Sequence, residues 1–134
     1  MKKLSFGLTI VVPCLNEEKH IKKTINNIFL GLNKTKLKYE IFIVDDGSTD
    51  LTYKVAKQIK KKNSIIKILR NSKNLGMGKS LKSCSLRAKY NHILLIPGDN
   101  SFTKKSIYNY GKSVGKNDFI IGQRVNYFSI YFDR

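Results

Sequence analysis

Apolar runs and amphipathic segments alternate along this chain. Leu8-Thr9-Ile10-Val11-Val12 is a near-continuous apolar run, the pattern of a strand covered on both faces. Asn16 then offers an N-cap, with Glu17 and Glu18 in the first helical turn and Ile21, Ile25, Ile28 and Leu32 at helical spacing. A second strand runs from Tyr39 to Val44. Ser48 or Asp50 can cap the helix after it, whose inward stripe reads Leu51, Val55 and Ile59. The third strand, Ile65 to Leu69, leads through a glycine-containing loop to a helix from about Lys79 to Tyr90, with Leu81, Cys84 and Ala88 inward. His92 to Ile96 is a fourth strand, Ile107, Tyr110 and Val114 mark a helix, and Phe119-Ile120-Ile121 reads as a fifth strand. Strand–helix alternation with short connections predicts an α/β domain of parallel strands joined by right-handed crossovers.

Three acidic stretches sit directly after apolar runs: Pro13-Cys14-Leu15-Asn16-Glu17-Glu18, Asp45-Asp46-Gly47-Ser48-Thr49-Asp50 and Pro97-Gly98-Asp99-Asn100. They hold six of the nine carboxylates, Glu17, Glu18, Asp45, Asp46, Asp50 and Asp99, in a chain with 26 Lys and Arg. In an open α/β sheet, ligands bind at the carboxyl ends of the strands. Acids that are scarce elsewhere and gathered there point to a site.

At 134 residues the chain is read as one domain, 1–134, since this length buries roughly two-thirds of its unfolded surface. No apolar run reaches the roughly 20 residues of a membrane-spanning helix. The two cysteines, Cys14 and Cys84, lack metal-ligand spacing and read as reduced thiols of a cytoplasmic protein. The formal charge is +17, yet only 4 of the 26 cations are Arg and the lysines are spread through nearly every predicted helix. That pattern argues against a nucleic-acid partner. It suits attraction to an anionic membrane face, where each basic residue adds about 1 kcal/mol.

Asp45 and Asp46 repel each other, so a purely structural use needs donors for both. Asp46 can close an Asx-turn and cap the next helix; a carboxylate at this edge can equally accept from a ribose hydroxyl or a base N–H. Asp99, after Pro97 and Gly98, can hold a hard cation against a diphosphate or cap the following helix. Gly76-Met77-Gly78-Lys79-Ser80 looks like part of a phosphate-binding loop, but Lys73 stands where that pattern needs glycine. His20 and His92 have no partner at catalytic spacing.

In order, the motifs Val-Val-Pro-x-Leu-Asn-Glu-Glu, Val-Asp-Asp-Gly-Ser-Thr-Asp, Asn-Leu-Gly-x-Gly, Ile-Pro-Gly-Asp-Asn and Ile-Gly-x-Arg resemble the N-terminal half of a family-two glycosyltransferase. The nearest group is the polyprenyl- and dolichyl-phosphate sugar transferases. The resemblance implies a GT-A fold: a Rossmann-like nucleotide-sugar-binding sheet, mainly parallel, with helices on both faces. It further implies that Pro13, Asn16, Glu17 and Asp45 line the nucleotide pocket, that Asp46 supports that loop and that Asn74 and Gly76 shape the far wall. Arg124 would approach the donor phosphates, and Asp99 would bind Mg²⁺ or Mn²⁺ as the last acid of the family's Asp-x-Asp motif.

Two departures accompany the likeness. Pro97 replaces the first acid of the metal motif, leaving Asp99 with help from Asn100. The chain also stops at Arg134, before the segments that in the family bind the acceptor and supply a general base. The implied activity is inverting transfer of a sugar from a nucleotide-diphosphate sugar to a lipid-phosphate or saccharide acceptor, at the inner face of the cytoplasmic membrane. The alternative is a fragment that binds nucleotide-sugar without turnover. Donor base and sugar, acceptor, general base and oligomeric state are open at this level.

Overall fold

A computed structural model of the chain describes residues 4–122, so Arg124 lies outside the described residues. Within them, strands and helices alternate: β1 (Ser5–Cys14), α1 (Ile21–Leu32), β2 (Tyr39–Asp45), α2 (Thr52–Lys61), β3 (Ile66–Arg70), α3 (Met77–Ser85), β4 (Tyr90–Leu95) and α4 (Lys104–Ser113). Every strand pairing is parallel, in the order β3-β2-β1-β4. Ile10 of β1 lies opposite Ile41 on one side and Leu94 on the other.

Strand side chains alternate between two cores. Leu8, Ile10, Val12, Ile41 and Ile43 pack with Ile21, Ile25, Ile28 and Leu32 of α1, Ala56 of α2 and Ile107 of α4. Val11, Phe42 and Val44 face the other way, onto Cys84 and Leu81 of α3. This division follows from handedness. The chain steps outward from β1 to β2 to β3 with α1 and α2 on one face, then reverses past β1 to reach β4. A right-handed return puts α3 on the opposite face. The reversal leaves a crevice at the carboxyl ends of β1 and β4, the place such sheets offer to ligands.

The structure departs from the sequence expectations at several boundaries. Leu51 is 57% exposed, because α2 starts one residue later and turns Thr52 and Ala56 inward with Val55 and Ile59 beside the core. The third helix ends at Ser85, five residues before Tyr90, which instead opens β4. Phe119, Ile120 and Ile121 form no strand, and Phe119 is 81% exposed. A three-residue apolar run without a neighbouring strand has nothing to pair with.

Candidate active site

The loops after β1 and β2 are stitched together by side chains. Asn16 adopts a left-handed φ of 56°. Its amide donates to Ser48 Oγ (3.0 Å) and its Oδ1 accepts from the Thr49 amide (2.9 Å). The Glu17 amide donates to Thr52 Oγ1 (2.8 Å). Glu18 and Asp50 serve each other's loops: the Glu18 amide donates to Asp50 Oδ2 (3.2 Å), and the Leu51 amide donates to Glu18 Oε2 (2.8 Å). Asn16 is therefore not the cap of α1. That helix begins at Ile21, its first amide bonds back to the Glu17 carbonyl, and no acid lies in its first turn.

Asp46 secures the loop after β3. Its Oδ1 accepts from Asn71 Nδ2 (2.7 Å) and the Leu75 amide (2.9 Å), and its Oδ2 from the Gly76 amide (2.8 Å). Burial pushes this carboxyl up, but the hydrogen bonds from Asn71, Leu75 and Gly76 outweigh it and hold it below the usual Asp value. Asn74 Oδ1 shares the Gly76 amide at 3.0 Å. Gly47, at a φ of 83°, lets this loop close: a Cβ there would sit 2.6 Å from the Lys73 carbonyl carbon. The expected Asx-turn at Asp46 does not form, because its carboxylate is taken by the loop after β3; the local bond is Asp45's, whose Oδ1 accepts from the Ser48 amide three residues on (3.1 Å).

The loop after β4 is tied to α1. Thr24 Oγ1 donates to the Gly98 carbonyl (2.9 Å) and lies 2.9 Å from the Asn100 amide that donates to it. Asn27 Nδ2 donates to Asn100 Oδ1 (3.0 Å), which holds that side chain against α1. Asp99 is exposed, and its Oδ1 accepts from the Ser101 amide (2.9 Å). It does not cap α4; Thr103 does, accepting from the Ser106 amide (3.2 Å).

The acids thus divide into two groups. Glu18, Asp46 and Asp50 hold the loops. The second group is Asp45, whose Oδ2 lacks an aligned donor, with Glu17 and the exposed Asp99 on the same edge. Asp45 is wholly buried; its Oδ2 lies 3.1 Å from Arg70 Nε at ion-pair distance, but out of line for a hydrogen bond. A buried carboxylate oxygen without an aligned donor calls for an explanation, and a ligand N–H is one. Glu17 Oε2 lies 2.8 Å from His20 Nδ1. Pro13 is buried at the end of β1, opposite Val44, with its carbonyl accepting from the Gly98 amide (3.0 Å).

Cys14 reports the potential at this edge. Its thiol is pushed far above the ordinary value by burial first, then by the carboxylates of Glu17, Asp45, Asp50 and Asp99. Such a field attracts cations and repels a bare diphosphate. No group of three or more His, Cys, Asp or Glu suited to a metal occurs among the described residues. Asp99 therefore fits a hard cation only as one ligand beside oxygens brought by a phosphate, the way magnesium is commonly held. Two cavities lie away from this edge. One of about 600 Å³ is lined by Phe6, Lys36 and Tyr108 at the opposite end of the strands, and one of about 810 Å³ runs along β4 past Leu81 and Ile93.

A sequence model of glycosyl transferase family 2 matches residues 9–133. The chain belongs to that family. The dolichyl-phosphate beta-glucosyltransferase of Dictyostelium discoideum is 30% identical over 101 residues, covering 70% of this chain and 31% of that protein. Among solved structures, residues 1–349 of Staphylococcus aureus TarS in complex with UDP superpose with a TM-score of 0.67 at 23% identity, over 83% of this chain and 32% of that one. A mannosyltransferase from Pyrobaculum calidifontis, solved with GDP-Man and Mn²⁺, gives a TM-score of 0.60 at 18% identity, over 72% and 30%. The chain spans about a third of the length of these proteins. The two structures share the expected GT-A fold.

Four of the five ordered motifs therefore converge on one sheet edge, with Pro13, Asn16, Glu17, Asp45, Asp46, Asn74, Gly76 and Asp99 on its four loops, while the fifth, Ile-Gly-x-Arg, runs beyond the described residues. Sequence reasoning passed over Arg70, Thr52 and Thr24, and read Ser48 as a helix cap where the structure has it accept from the Asn16 amide. Arg70 had a signal, as a cation at the end of a strand beside the acidic one. The three hydroxyls had none, since their partners lie 32 to 76 residues away.

Proposed function

We propose that this chain is the donor-binding part of an inverting glycosyltransferase that draws on a nucleotide-diphosphate sugar. The observation that carries this is the pair of acids at the ends of β2 and β4, Asp45 and Asp99, on an edge whose loops are locked by other acids. Pro13, Asn16, Glu17 and Asp45 form the nucleoside side of the pocket, and Asn74 and Gly76 its far wall on the loop that Asp46 fixes. Asp45 has no accessible surface, so its contact with the nucleoside requires the half-exposed Arg70 side chain to swing aside and uncover Oδ2. The likeness of Ile-Gly-x-Arg to the family's motif assigns Arg124 to the donor phosphates.

Asp99 would hold Mg²⁺ or Mn²⁺ beside the diphosphate, where the ion would supply positive charge to the leaving group. The acceptor oxygen bonds to the anomeric carbon as the carbon–oxygen bond to the donor phosphate breaks, and that electron pair leaves with the nucleoside diphosphate. The acceptor is a lipid phosphate such as a polyprenyl phosphate, a reading supported by the dolichyl-phosphate enzyme above. Its nucleophilic oxygen is already anionic and needs no strong base, which suits a chain in which no residue is assigned as one. The protein works where such a lipid is found, at the inner face of the cytoplasmic membrane.

Calorimetric titration with UDP and GDP, with and without Mn²⁺, tests the donor site. Metal-dependent binding of one nucleotide, abolished in Asp99→Ala, supports it and identifies the base. Absence of binding by a folded sample overturns it.

A further inference from the structure

The excess of positive charge is not evenly spread. Every charged residue of all four helices is an exposed lysine, but α1, α2 and α4 carry nine of them on one face against two, Lys79 and Lys82, on α3 on the other. Helices on a solvated surface usually mix signs, because Glu–Lys pairs one turn apart stabilise them. Here none of the ion pairs among the described residues involves a lysine of these three helices. All three helices cover the same face of the sheet. Lysines near helix carboxyl ends are favoured by the dipole, which accounts for Lys60, Lys61 and Lys112 but not for Lys22, Lys54 or Lys104 in first turns.

Other groups on this layer suit an interface. Lys57 lies 4.7 Å from the Tyr53 ring centre and Lys112 5.6 Å from that of Tyr108, so cations and tyrosines are interleaved. Leu30 of α1 is 45% exposed among them. Lysine stems, tyrosines and a protruding leucine match the headgroup zone of a bilayer, where amphipathic side chains sit with one end wet. No helix among the described residues is long and apolar enough to cross a membrane.

We infer that the α1/α2/α4 layer docks flat on an anionic lipid bilayer. The strands run parallel to that layer, so their carboxyl edge, with Asp99 and the α1-bound loop after β4, lies at its rim close to the headgroups. A lipid-phosphate acceptor then reaches the site without leaving the bilayer. That consequence rests on the donor-site reading above; the docking itself does not.

The test is flotation of the whole chain with phosphatidylcholine vesicles made with or without phosphatidylglycerol. Lys54→Glu/Lys105→Glu is compared with Lys79→Glu/Lys82→Glu on α3, which changes net charge equally on the opposite face. The expected result is binding only to the anionic vesicles, weakened by salt. It should weaken roughly thirtyfold or more in the first variant and far less in the second. Equal losses in the two variants mean attraction to net charge and overturn the assignment of a face. No binding to anionic vesicles, or displacement from them by low concentrations of RNA, overturns the bilayer as partner. Circular dichroism and nucleotide titration of both variants separate these outcomes from misfolding and from failure of the donor site.

Discussion

Arg70 Nε lies 3.1 Å from Asp45 Oδ2, while its guanidinium carbon sits 4.2 Å from the centre of the Tyr53 ring. The two residues are also direct cross-strand partners in the β2–β3 register. One side of the pair is fully buried and the other is half in solvent, so the cation screens a carboxylate that the fold has otherwise enclosed.

Removing only the cation leaves that buried charge uncompensated. Arg70→Ala should cost about 1–3 kcal/mol, discounted from the figure for fully buried pairs because Arg70 is half exposed. Adding Asp45→Asn should recover most of the loss. Urea unfolding of the two single variants and the double measures the coupling directly.

Asp46 should act on stability through the loop after β3. Asp46→Ala strands the Asn71 side chain and the Leu75 amide and leaves the Gly76 amide to Asn74 Oδ1, at about 2–3 kcal/mol. Because its folded pKa lies below the unfolded value, its contribution is complete above the unfolded pKa, and it is lost as the pH falls through the folded one. Wild type should therefore lose stability faster than Asp46→Asn on acidification below about pH 4. Parallel urea midpoints at two pH values read this out.

The glycines on either side of that contact should differ. Gly76→Ala meets no atom within 4 Å but must hold a φ of 86°, for about 1–3 kcal/mol. Gly47→Ala adds backbone clashes with Lys73 and Asn74 to its own positive φ, and should be the more damaging. Thermal unfolding of the two variants ranks them.

Glu40 separates stability from binding. Buried on β2, it accepts from Thr9 Oγ1 (2.9 Å), the Lys89 amide (2.6 Å) and Lys67 Nζ (2.8 Å). Burial raises this carboxyl, but the Lys67, Lys89 and Thr9 contacts outweigh it and its pKa is lowered. It lies at the far end of β2 from Asp45. Glu40→Gln should lower stability by about 1–3 kcal/mol and leave nucleotide affinity unchanged, as calorimetry on the folded variant would show.

The strands and the acidic edge were legible because buried parallel strands are continuous apolar runs, and acids are rare elsewhere in this chain. The inward residues of α1 were legible for the same kind of reason, since Ile21, Ile25, Ile28 and Leu32 carry the helical period without interruption. Asn16 misled because a capping residue and a left-handed residue that accepts from Thr49 look alike in one dimension. Leu51 misled because the buried polar Thr52, serving Asp50 and Glu17, took the place an apolar residue was expected to hold. Which acids hold loops depends on amides brought in from other loops, such as those of Leu75 and Gly76 on Asp46. No local pattern encodes that division.

The central claim is that four loops at one sheet edge make a single donor site. The amide chemical-shift footprint of UDP or GDP with Mg²⁺ on labelled protein tests it most directly. The shifts should cluster at residues 14–18, 45–48, 74–77 and 98–100 and spare Lys82 and Ile93 beside β4. A footprint centred on the β4 groove, or none at saturating nucleotide, contradicts the account.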